Sequence, residues 1–172
     1  YANSQTDTTT ITLAQNGTYG LTHTFSSANG VSLLPPLNSR VIINANGATL
    51  TRSTSTAARF FTVDGRSLTL NNITITNGVG TGGAVFVFGN GTLIVHDSSF
   101  RNNGSAIIIA SGAGGALAGS DATITVTGST FEQNYAARGG AVYAGNTVLE
   151  LESNVFSRNS ANLGSSVLVS GT

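Results

Sequence analysis

The chain has 172 residues, seven arginines balanced by seven acids, no lysine and no cysteine. Zero net charge at only 8% charged residues leaves neither the basic footprint of a nucleic-acid binder nor a polybasic membrane patch. The missing cysteines exclude disulfides and thiolate metal sites, while 40% apolar residues are too many for a disordered chain.

Taken from the N-terminus, residues 1–39 are irregular. Thr10–Leu13 and Thr18–Thr22 alternate apolar and polar residues as short strands do, and the prolines of Leu34-Pro-Pro-Leu37 forbid pairing inside a sheet. An atypical opening segment that covers the end of a core is expected here. Tyr1 in place of Met is compatible with a removed signal or an excised segment. From residue 40 the pattern becomes regular. Val41–Ile43 and Ala48–Leu50 read as strands, and Phe60–Val63 leads across an Asp64-Gly65 turn into Leu68–Leu70.

The C-terminal half repeats itself. GGA plus an aliphatic residue begins at Gly82, Gly114 and Gly139, with a worn copy, Gly-Ser-Ser-Val, at Gly164. An F-x-x-N string begins at Phe100, Phe131 and Phe156 and places Asn103, Asn134 and Asn159 at its end. Period-2 segments begin at Leu68, Leu93, Ile124 and Leu149, so the common step is 25 residues. Such a repeat is one supersecondary unit stacked on copies of itself. No helical period of adequate length occurs, so each unit reads as three short strands.

Three strands in 25 residues wind most simply as one coil of a single-stranded parallel β-helix. An all-β domain of six to seven such coils, spanning 1–172 with repeats over 40–172, is expected. Strands of successive coils then lie about 4.8 Å apart, and like residues form ladders. Phe100, Phe131 and Phe156 should fill the interior, with Ile75 in their place one coil earlier. Asn103, Asn134 and Asn159 should sit at a bend where left-handed backbone is tolerated. The paired glycines should make the other corner, where φ is positive or a side chain would clash.

One insertion breaks the period. Asn134 to Gly139 spans five positions and Asn103 to Gly114 eleven, so six extra residues lie within Gly104–Ala113. They include Ile107, Ile108 and Ile109. Insertions in stacked repeats often mark the working face, and folding back over a coil is the alternative. The longest apolar runs, Ala84–Phe88 and Ala106–Ala110, are too short to cross a bilayer, so this segment is not expected to insert into membrane. The apolar end, Ser165–Thr172, lacks an evident cap. It implies either continuation in a longer parent chain or docking on a partner.

Chemistry has few candidates. Glu150 and Glu152 point the same way on one strand about 7 Å apart, but their neighbours one coil back are Thr125 and Thr127, so a solvated face is the simpler reading. His96 and Asp97 are adjacent and face opposite ways. Arg101 and Glu132 fall at equivalent positions and should form a surface ion pair. The outward Thr69, Ile94, Thr125 and Glu150 are too irregular for an ice-binding array. Sequons at Asn16, Asn72, Asn90 and Asn103 are no more than 17 Asn and 44 Ser plus Thr produce by chance. Phe86 and Tyr143, outward on either side of Ala118, suit sugar stacking or a protein contact, and covering by the insertion is equally open. No catalytic, cofactor-binding or metal residue is assigned.

The GGA-I/L/V and F-x-x-N motifs resemble the repeats of the polymorphic membrane protein family of bacterial outer-surface autotransporters over residues 40–170. The resemblance implies a right-handed parallel β-helix used as a secreted or surface-displayed passenger, commonly adhesive, whose repeat residues are scaffold. The worn fourth GGA departs from it. Adhesion to a protein or glycan surface is therefore expected, with Phe86, Tyr143 and Ile107–Ile109 as the binding surface. Self-association through the C-terminal end or the insertion is a further expectation. A carbohydrate-active enzyme and a structural spacer remain the alternatives.

Overall fold

Alternation of apolar and polar residues sets the inward faces. Ser67–Asn71, Thr92–His96 and Thr123–Thr127 each bury two apolar side chains, and the residues they turn outward are polar except Ile94. In the computed structural model, which describes residues 8–37, 39–104 and 112–171, the strands of three large sheets pair in parallel with their counterparts in the next repeat. The L-x-L sheet runs Thr9–Thr12, Val41–Asn44, Ser67–Asn71, Thr92–His96, Thr123–Thr127 and Val148–Glu152. The GGA sheet runs Phe61–Asp64, Val85–Phe88, Leu117–Ser120, Val142–Gly145 and Val167–Ser170. The phenylalanine sheet runs Thr18–Leu21, Thr49–Arg52, Thr74–Thr76, Ser99–Arg101, Thr130–Glu132 and Val155–Ser157. The described residues are thus all-β, without a helix, in stacked parallel sheets.

The interior is built from the expected ladders. Leu68, Leu93, Ile124 and Leu149 stand in one register, and Ile75, Phe100, Phe131 and Phe156 in another. The phenylalanine rings stack at 5.0 and 4.8 Å with interplanar angles of 13° and 6°. Phe100 and Phe131 are fully buried, and Phe156, last in the ladder, is only partly covered. Burying each such side chain contributes about 1.5–3 kcal/mol.

The GGA corner divides its two demands. The first glycine is left-handed, with φ of 57°, 61° and 58° at Gly82, Gly114 and Gly139. The second leaves no room for a side chain: a Cβ on Gly83 would stand 2.6 Å from the Gly115 carbonyl oxygen of the next repeat. Gly115 and Gly140 meet the Gly140 and Ser165 carbonyls in the same way.

At the opposite bend the structure corrects the sequence. The left-handed residues are Asn102, Gln133 and Arg158, with φ of 52°, 55° and 53°. Asn103, Asn134 and Asn159 follow them and turn inward, where Asn103 and Asn134 are fully buried. Their amides form a continuous chain. The Asn103 backbone N–H donates to Asn134 Oδ1 at 3.0 Å, and the Asn134 N–H to Asn159 Oδ1 at 3.0 Å. Asn134 Nδ2 also donates to the Phe100 carbonyl at 3.0 Å. These bonds satisfy backbone groups that the bend takes out of the sheet ladder. A second polar ladder, Ser98, Ser129 and Asn154, does the same two residues before each phenylalanine. Asn134→Ala should therefore cost about 2–4 kcal/mol by orphaning buried donors and acceptors. Urea titration checks this, and Asn102→Ala at the exposed neighbour should cost clearly less.

Two further departures concern the outline. A fourth strand, Tyr135–Arg138, pairs with Ser160–Leu163, so the last repeats carry four strands and not three. The irregular opening is also shorter than expected. Thr9–Thr12 and Thr18–Leu21 already belong to the stacked sheets, and the departure narrows to an antiparallel hairpin, Phe25–Ser27 with Gly30–Ser32. Leu37 bridges Val63 just after the prolines.

Candidate binding surface

The outward face of the GGA sheet carries the aromatic residues. Register places Thr62, Phe86, Ala118, Tyr143 and Leu168 in one row. Phe88, two residues beyond Phe86 and so on the same face, stacks on it at 4.9 Å. Phe86, Phe88 and Tyr143 are half-buried, and Ala118 between them is fully buried. The Tyr143 hydroxyl shares a 2.8 Å hydrogen bond with Ser170 Oγ, which fixes the ring's outer edge.

Two of these rings, Phe86 and Tyr143, also carry a cation. The Arg59 guanidinium lies 5.0 Å from the Phe86 centroid, and that of Arg138 lies 5.1 Å from Tyr143. Both arginines come from the corner. Arg138 precedes Gly139, and Arg59 holds the register position that Gly83 fills one repeat later. Arg59 is 7% exposed. Its Nη1 donates to the Asn29 carbonyl at 2.7 Å, tying the hairpin to the repeats, and its Nε is buried without a hydrogen-bond partner. Among the described residues no carboxylate pairs with it, and burial pushes its pKa down to about 10. Stacking on Phe86 supplies about 1–2 kcal/mol against that desolvation. Sequence reading named Phe86 and Tyr143 and missed Phe88, Arg59 and Arg138. The period-2 spacing of Phe86 and Phe88 was the available signal.

The remaining candidates are dispersed. Ile107, Ile108 and Ile109 lie outside the described residues. Glu150 and Glu152 are exposed at the register positions of Thr125 and Thr127, and Thr125 Oγ1 donates to Glu150 Oε2 at 3.2 Å. His96 Nδ1 sits 2.6 Å from Thr127 Oγ1, while Asp97 lies on the following bend with φ of 49°. The expected Arg101–Glu132 pair is replaced. Arg101 Nε donates to Ser99 Oγ on its own strand at 2.9 Å, and Glu132 pairs with Arg158 at 3.5 Å. Among the described residues no three His, Asp or Glu side chains gather as metal ligands. Of the sequon residues, Asn103 is fully buried. Among those residues, too, no helix is long and apolar enough to cross a membrane.

The fold and this face define an all-β repeat protein of stacked parallel sheets with an aromatic and arginine-bearing side. No protein-family model, curated protein or solved structure matches the chain.

Proposed function

We propose that the chain is a right-handed parallel β-helix of six to seven coils, secreted or displayed at a cell surface, that binds a protein or glycan without turning it over. The row of half-buried rings on the GGA sheet carries the reading. Half-buried rings with guanidiniums lying over them offer apolar and hydrogen-bonding groups together, which suits sugar rings and protein contacts alike. The GGA and F-x-x-N repeats, which resemble those of surface-displayed adhesive passengers, support the same role. The acids offer no comparable gathering: Glu150 and Glu152 stand on an open strand without a third acid.

Binding to a glycan array and to cultured host cells tests the proposal. Tyr143→Ala should weaken the strongest interaction by about tenfold, a loss of about 1.4 kcal/mol. Unchanged binding by Phe86→Ala, Phe88→Ala and Tyr143→Ala would move the contact off this face. Incubation with plant, algal and bacterial polysaccharides, with and without calcium, addresses catalysis. Release of reducing or unsaturated ends that stops in Glu150→Gln or Glu152→Gln would replace adhesion with a carbohydrate-active enzyme.

A further inference from the structure

Where the GGA sheet turns into the L-x-L sheet, successive repeats each bring an arginine. Val41 is in register with Leu68, which sets Arg40 abreast of Ser67, and Arg66 is the bend residue just before that strand. Both line a cleft of about 330 Å³ together with Ser67, Asn90 and Thr92. No carboxylate of the described residues lines it. The nearest acid in sequence, Asp64, lies with Oδ1 against Gly89 and makes no ion pair with either arginine.

The other five arginines are occupied. Arg52, Arg59, Arg101 and Arg158 donate hydrogen bonds, and Arg138 stacks on Tyr143. Arg40 and Arg66 have no side-chain partner among the described residues. The chain has as many acids as arginines and so had the means to neutralise this pair. Two guanidiniums lining one cleft repel each other, and an anion between them relieves that repulsion. Guanidinium forks match the paired oxygens of sulfate and carboxylate, and the hydroxyls of Ser67 and Thr92 and the amide of Asn90 can bond the sugar that carries them.

We propose that Arg40 and Arg66 form a docking site for an anionic saccharide, one bearing sulfate or carboxylate groups. The site stands on a corner of the stack and does not rest on the Phe86–Tyr143 face.

Isothermal titration with dextran sulfate, polygalacturonate, neutral dextran and inorganic sulfate tests it at low and moderate salt. One or both charged polymers should bind, neutral dextran should not, and affinity should fall as salt rises. Arg40→Gln and Arg66→Gln should each weaken binding by about tenfold, and the double variant should abolish it. Both side chains are exposed and unpartnered, so an unchanged thermal midpoint should accompany that loss. Tyr143→Ala should leave the charged-polymer affinity intact, which separates failure of this site from failure of the aromatic face. Absence of binding to either charged polymer, or equal binding by the double variant, would overturn the proposal. Inorganic sulfate binding as tightly as the polymers would overturn its saccharide part.

Discussion

Gly115→Ala is expected to prevent folding, or to destabilise the protein by more than about 3 kcal/mol, though it adds a single methyl group. The new Cβ would overlap the Gly140 carbonyl oxygen and stand 2.6 Å from the Tyr135 backbone nitrogen. Both are backbone atoms held in the stack: the Tyr135 N–H donates to the Asn103 carbonyl, and Gly140 is tied to the next repeat by its own N–H on the Gly164 carbonyl. No side-chain rotation relieves such a clash, so the repeats must separate. Soluble yield and circular dichroism read the result. Ser165→Gly is the control: Ser165 holds the same register position in the last repeat, and no described residue stacks beyond it. Its effect should stay within about 1 kcal/mol.

Phe131→Ala should cost about 4–5 kcal/mol, because it empties a fully buried position and removes a ring stacked on both sides. Phe156→Ala removes the same side chain from a partly covered place with a ring on one side only, and about 2 kcal/mol is expected. Chemical denaturation of the two variants measures the difference. Equal losses would mean that the ladder is not the continuous column described above.

The ladders were legible in the sequence because a strand has the shortest possible period. Leu68 with Leu70 and Ile124 with Val126 leave no choice of inward face, and a constant step then fixes which residues meet. The bend before the asparagine ladder was misread for a physical reason. Asn is the usual non-glycine residue in left-handed backbone, so Asn103 seemed to belong there. The chain puts Gln133 and Arg158 in that conformation, residues whose propensity gives no sign of it. The strand Tyr135–Arg138 was hidden because all four of its residues are half-buried and nothing alternates.

At the candidate surface, Phe86 and Tyr143 could be aligned because the GGA strings number the strand directly. Arg59 and Arg138 could not. They leave the corner and cross to the rings of neighbouring strands, a side-chain path that residue spacing does not record. The exchange of Arg101 for Arg158 as partner of Glu132 has the same origin. Register brought Arg101 to the right place, and a hydroxyl on its own strand took its guanidinium.

Ser165 also bears on how such an array lengthens. Copying an internal unit, such as 114–138, between existing ones reproduces two glycines at every new corner, and nothing obstructs the join. Appending a unit of the same design after 164 would set its corner carbonyl where the serine carbon stands. An inserted copy therefore stacks between existing repeats without hindrance, whereas a unit of this design stacks on position 165 only once its serine is exchanged for glycine.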